Sequence, residues 1–89
     1  MEIEKIIDEL KKSWKKVYVW DDAAQTAYET HSHKYDTRLI IQRGSINFTV
    51  NGEKHLLTAG DDFIIKAGQL HSAHVGKEGC TYVVAEGRK

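Results

Sequence analysis

The sequence predicts an all-β domain, a sandwich or barrel of short strands, with one α-helix ahead of it. Apolar residues recur at helical spacing over the first sixteen positions and with a period of two from Val17 onward. Turn sequences, among them Asn51-Gly52, Ala59-Gly60-Asp61 and Ala67-Gly68, punctuate the second region at short intervals. Eight or nine strands fit between the turns, the pattern of packed antiparallel sheets rather than of alternating βαβ units.

Residues 1–16 form the helical segment. Ile3, Ile6, Ile7, Leu10 and Trp14 make one apolar stripe over residues 2–16, and Glu2, Lys5, Asp8, Glu9, Lys11, Lys12, Lys15 and Lys16 fill the remainder. Acids lie early and lysines late, which suits the helix dipole. The mixed-sign polar face predicts a helix laid across the barrel or against a second copy, not one lying on a membrane.

Residues 17–89 form the barrel. The stretch 17–20 (VYVW) is β-branched and aromatic, and Asp21-Asp22 ends it. Residues 26–33 (TAYETHSH) alternate, with Ala27, Glu29, His31 and His33 on one face and Tyr28, Thr30 and Ser32 on the other. A short connection over 34–36 leads to a strand over 38–43, where Leu39 and Ile41 share a face. Beyond Gly44, Ile46, Phe48 and Val50 alternate with polar residues up to Asn51-Gly52, the pair favoured by a type I′ hairpin turn. Residues 53–58 make the return strand, 62–66 the next, and 71–75 and 81–85 the last two, with a loop between Gly76 and Gly79.

Composition narrows the class of function. A chain of 89 residues holds one core and buries only ~60–65 % of its unfolded surface; a barrel suits that size because closure removes sheet edges. Thirteen basic residues balance thirteen acidic ones, so no positive excess draws in nucleic acid or anionic lipid. The same neutrality leaves little repulsion between copies and predicts a homodimer. A single cysteine, Cys80, excludes an internal disulfide. Charged residues near the N-terminus do not fit a signal peptide, and no apolar run approaches the ~18–20 residues of a membrane span. The expected compartment is the cytoplasm.

The chemistry concentrates in histidines. A strand places His31 and His33 on one face, ~6.5–7 Å apart along the chain, close enough for both rings to reach one ion. His71, directly after a glycine-containing turn, is the best third ligand. Three neutral imidazoles suit zinc, copper, nickel or iron and leave coordination positions open. His74 falls on the face opposite His71, and His55 follows the hairpin tip; both are expected in solvent. Glu29 shares the histidine face as a rim carboxylate. Trp20, Tyr28, Phe48 and Tyr82 are expected in the core or an interface.

Residues 31–44 (HSHKYDTRLIIQRG) and 60–71 (GDDFIIKAGQLH) resemble the two motifs of the cupin superfamily. His31, His33 and Gly44 match the first motif, and Gly60, Gly68 and His71 match the second in register. Fifteen residues separate Gly44 from Gly60 and hold the Asn51-Gly52 hairpin, as in that family. The resemblance covers residues 26–86 and implies a small jelly-roll-like barrel with a divalent metal inside, zinc, iron, manganese, nickel or copper. The family's ligands are three histidines and a glutamate. Here Thr37 or Arg38 stands where the glutamate would fall, and Asp36, one residue earlier, is the candidate fourth ligand or an acceptor orienting a histidine. Lys66 replaces the family's proline, which costs rigidity in the turn.

Two functions compete. A metalloenzyme would use the open positions for oxygenation, isomerisation or lyase chemistry on a small molecule, with Glu29 or Asp36 as the only evident bases. A non-catalytic module would bind the small molecule or the metal itself, a reading that the short chain, with little to form a lid, supports. A metal-free barrel with hydrogen-bonded histidines is the third possibility.

Overall fold

Period-two patterning becomes long strands rather than many short ones. A computed structural model describes residues 2–89. Helix α1 (Ile3–Lys11) leads to strands β1 (Trp14–Asp22), β2 (Ala27–His31), β3 (Thr37–Val50), β4 (Glu53–Thr58), β5 (Asp62–Ile65) and β6 (His71–Arg88). All pairings are antiparallel. The architecture is a jelly-roll β fold, as the sequence implies.

Two pairs of expected strands are fused. The segments on either side of Gly44 form one strand, β3, and those on either side of residues 76–79 form another, β6. These two strands pair from Thr37↔Glu86 to Val50↔His71 and bend together at register shifts beside Gly44. The first half of β3 takes β5 as its other neighbour, and the second half takes β4. Likewise β1 lies beside the C-terminal half of β6, and β2 beside its N-terminal half. A bend in two central strands thus makes two facing sheets from one ladder.

Between the sheets lie Leu39, Ile41, Ile46, Phe48, Val75 and Val84, all buried. A second cluster covers the outside. Ile6 and Leu10 of α1 pack with Trp14 on Val83 and Ala85. Residues 82–85 are therefore buried whichever way they face, and Val83 and Ala85 are both 0 % exposed. Of the two placements expected for the helix, the structure shows the one across the barrel.

The helix is shorter than its stripe predicts. It stops at Lys11, and Trp14 begins β1 opposite Arg88. There the indole is buried, with the Arg88 guanidinium 4.5 Å from its ring centre. Pairing with β6 satisfies the backbone from Trp14 onward, and this tertiary contact overrides the helical propensity of the lysine-rich stretch. No described helix is long and apolar enough to cross a membrane.

The hairpin forms as read. Asn51 and Gly52 both have positive φ, 49° and 83°, as a type I′ turn requires. Gly44 is more constrained: φ is +79°, and a Cβ there would overlap the carbonyl oxygen of Gly79. Gly44→Ala is expected to cost about 3 kcal/mol or more, combining backbone strain with a clash against fixed backbone. Gly52→Ala, with nothing within 4 Å of the added atom, is expected to cost only about 1–2 kcal/mol. Urea unfolding of the two variants measures the difference.

Candidate metal centre

The first two histidines sit where β2 ends. His31 is the strand's last residue, and His33 lies two residues beyond it. His71 opens β6 between them and the core, opposite His31 on β2 and Val50 on β3. The ring centres form a near-equilateral triangle: His31 to His71 is 4.4 Å, His33 to His71 4.8 Å and His31 to His33 4.9 Å. One ring nitrogen from each lies within 4.8 Å of the others.

The outer ring nitrogens show how the rings are held. His31 Nδ1 lies 2.6 Å from the Glu29 carbonyl oxygen, and His71 Nδ1 lies 3.0 Å from that of Gln69. A carbonyl only accepts, so in the neutral rings Nδ1 carries the proton and Nε2 keeps a free lone pair. His33 Nδ1 is 3.5 Å from the Thr37 hydroxyl. Backbone or hydroxyl partners on the outer nitrogen are the usual support of a metal-ligating histidine. The donor set therefore fits a divalent transition ion, with each ring already oriented.

A one-residue bulge decides which side chains join them. Tyr28 pairs with Ala73 but His31 pairs with His71, so β2 carries one extra residue in that interval. The bulge reverses the parity of the strand. Tyr28 thus enters the cavity with His31 and His33, and Glu29 is exposed and does not line it. The expected face shared by Glu29 and the histidines is corrected on this point.

Asp36 does not join the triad. Its Oδ1 accepts the Ala67 backbone N–H at 2.9 Å, and its Oδ2 accepts Arg88 Nε at 3.0 Å. Those bonds hold its carboxyl below the usual carboxylate range, the Ala67 amide first and Arg88 second. Asp36 fastens the second-motif turn to the loop after His33. Gly68 N–H adds a bond of 2.8 Å to the His33 carbonyl. Lys66, standing for proline, does not leave the turn loose, because its N–H donates to Gln69 Oε1 at 2.8 Å.

The cavity in front of the triad has a volume of about 270 Å³. Phe48, Leu39, Ile65 and Val84 give it apolar walls, and Tyr18, Trp20, Tyr28 and Tyr82 line one side. The aromatic side is set by Asp22, buried beneath it. This carboxylate accepts Trp20 Nε1 at 2.9 Å, Tyr82 Oη at 2.6 Å and the Tyr28 hydroxyl. Burial, and then the bonds to Asp22, push both tyrosines up, so they remain phenols and donors at neutral pH.

Glu86 is the one carboxylate among the described lining residues. Its Oε2 accepts Tyr18 Oη at 2.9 Å. Period-two phase marks it out, since Tyr82, Val84 and Glu86 share a face, but the expected last strand stops at residue 85 and misses it. His55 packs its ring on Phe63 with centres 4.9 Å apart, and His74 is exposed on the far face.

Comparisons with known proteins place the fold. Residues 17–85 match the family described as AraC-like ligand binding domain. The cupin domain of Cnp3 from Schizosaccharomyces pombe superposes with a TM-score of 0.76 at 20 % identity, covering 86 % of this chain and 62 % of that one. A Klebsiella pneumoniae protein described by its double-stranded β-helix domain gives 0.69 at 28 % identity, over 80 % and 64 % of the two chains. The DMSP lyase DddQ from Ruegeria pomeroyi gives 0.73 at 23 % identity, over 82 % and 37 %. This chain spans less than two thirds of each of the three. No curated protein sequence matches it.

His33 yields a pH prediction. Burial first, then the neighbouring His71 and His31, hold its imidazolium below the ordinary range, against an opposing pull from Glu86. The unfolded chain takes up this proton near pH ~6.5, while the folded chain resists until lower pH. In that interval the unfolded state binds more protons, so stability falls as pH falls. Above about pH 6.5 the effect vanishes. Urea unfolding of metal-free protein is expected to lose stability from pH 6.5 downward, and His33→Asn to flatten that slope.

Proposed function

Because the chain belongs to the AraC-like ligand binding domain family and has the cupin fold, we propose that it binds a divalent transition metal through His31, His33 and His71 and holds a small molecule against it. The observation that carries the reading is the convergence of three imidazoles, two with Nδ1 against carbonyls and the third against a hydroxyl. Three neutral nitrogens leave positions open for a ligand, and the set suits zinc, iron, nickel or copper better than calcium or magnesium. When bound, the ion supplies Lewis acidity at those positions.

The chain's own residues do the rest. The Glu29 and Gln69 carbonyls and the Thr37 hydroxyl orient the rings. Phe48 stands 6.5 Å from His71, centre to centre, and with Leu39, Ile65 and Val84 keeps water from that side. His31 is exposed, so a small molecule reaches the triad from the side of β2. Turnover of that molecule, by oxygenation, isomerisation or elimination, is the reading that open coordination supports. Ligand binding without turnover is the second reading, and the family match over residues 17–85 favours it. Turnover requires the metal; ligand binding alone does not.

Elemental analysis tests the proposal. Protein purified without chelator is expected to carry close to one equivalent of transition metal, and a His31→Ala, His71→Ala variant close to none. Metal absent from the native protein, or kept by the double variant, overturns the reading. Asp36→Ala is expected to keep the metal and to lower the denaturation midpoint, since its carboxylate ties Ala67 to Arg88.

A further inference from the structure

We propose that Glu86 is the ligand-selecting carboxylate of this cavity, recognising a small 2-hydroxy acid by its hydroxyl while the acid's carboxylate sits on the metal. The inference rests on the metal reading above and deepens it.

Glu86 lies on β6 directly opposite Thr37 on β3. Thr37 is one of the two positions where the first motif of the cupin resemblance would place its glutamate, and its hydroxyl reaches His33. Both residues line the cavity. Opposed residues in an antiparallel pair hold their Cβ atoms ~4.5–5.5 Å apart. The acidic side chain missing from β3 is thus supplied by the neighbouring strand. No Glu86 oxygen belongs to the close group formed by the three histidines, so it stands beside the ion's place rather than within its ligand set. Tyr18 donates to Oε2 and the Tyr35 hydroxyl stands beside the same carboxylate; with about four acceptor sites, Glu86 keeps capacity to accept from a bound molecule.

The surroundings restrict what that molecule is. No lysine or arginine is among the described lining residues, so an anionic oxygen on the ligand is answered only at the metal. Glu86 calls for a proton donor next to that oxygen. An ammonium there would meet the charge of the ion, whereas a hydroxyl is neutral. Asp22 does not compete for the donor, because Trp20, Tyr28 and Tyr82 already occupy it. A carboxylate with a hydroxyl on the adjacent carbon meets both demands, and a cavity of about 270 Å³ suits a small one.

The test uses the full chain loaded with zinc and two probes, glycolate and methoxyacetate. They share the same chelating oxygens, but only glycolate has the hydroxyl proton. Calorimetric titration gives the preference for glycolate, and zinc content is measured on every sample. Glu86→Ala is expected to keep its zinc and to lose about tenfold or more of the native preference. Glu86→Gln, which keeps one neutral carbonyl acceptor to be shared between Tyr18 and the ligand and puts an NH2 donor in the other oxygen's place, is expected to fall between. An unchanged preference in zinc-loaded Glu86→Ala overturns the inference and leaves the metal reading standing. So does failure of the zinc-loaded native chain to bind either probe. If the native chain holds no zinc, or the His31→Ala, His71→Ala variant holds as much, the metal reading has failed and takes this inference with it.

Discussion

The triad depends on a seam between two loops that are distant in sequence. Gly68 N–H meets the His33 carbonyl, and Ala67 N–H meets a carboxylate oxygen of Asp36, 31 residues away. Each such bond contributes only about 1 kcal/mol net, somewhat more where an acceptor is charged. Their importance is geometric. His33 lies beyond the end of β2, and the strand ladder does not fix it; the seam does. His71 follows the same turn, so the bonds that locate His33 also set its distance from His71. Arg88, on the second oxygen of Asp36, extends the seam to the end of β6.

The seam also relates site to stability. Tightening the loops brings imidazoles together, and burial, then His71 and His31, hold the His33 imidazolium below its ordinary range. In the metal-free protein His33 therefore favours the neutral ring that an ion needs, since coordination requires deprotonated nitrogen. At His31 and His71 a main-chain carbonyl on Nδ1 fixes the tautomer that leaves Nε2 its lone pair. Burial is uneven: His71 is 3 % exposed and His31 is open. The inner face of the site is thus rigid and its outer face accessible.

Much of this was legible in the sequence, and the failures have physical causes. The helix, the hairpin at Asn51-Gly52 and the three histidines follow from period, turn chemistry and motif spacing. The strand count does not, because Gly44 looks like a break and is a bend. Its positive φ lets β3 turn past Gly79 without leaving the ladder. The histidine face was half legible: a bulge between Tyr28 and His31 adds one residue, and no local signal in Tyr28-Glu29-Thr30-His31 announces it. Trp14 fits the helical stripe equally well as a strand residue, since either way it meets Val83 and Ala85. Sequence periodicity finds the buried face; pairing partners decide the backbone.

Asp36 and Glu86 show why spacing alone misassigns roles. In the motif this chain resembles, one glutamate follows the histidines by three or four residues. Among the described residues no carboxylate joins the three histidines, and the two acids have other roles. Asp36 has two strong donors and is spent on holding the loops. Glu86 accepts from Tyr18 and faces the cavity. A carboxylate at position 37, the first residue of β3, would have stood against His33, whereas threonine there supplies a small hydroxyl to that ring. The space it leaves is reached from β6, the next strand over. Antiparallel pairing makes positions 37 and 86 neighbours although they lie near opposite ends of the barrel sequence, so the acid can move between strands while the cavity keeps its charge. Such an exchange is invisible to a motif read along the chain and plain once the register is known.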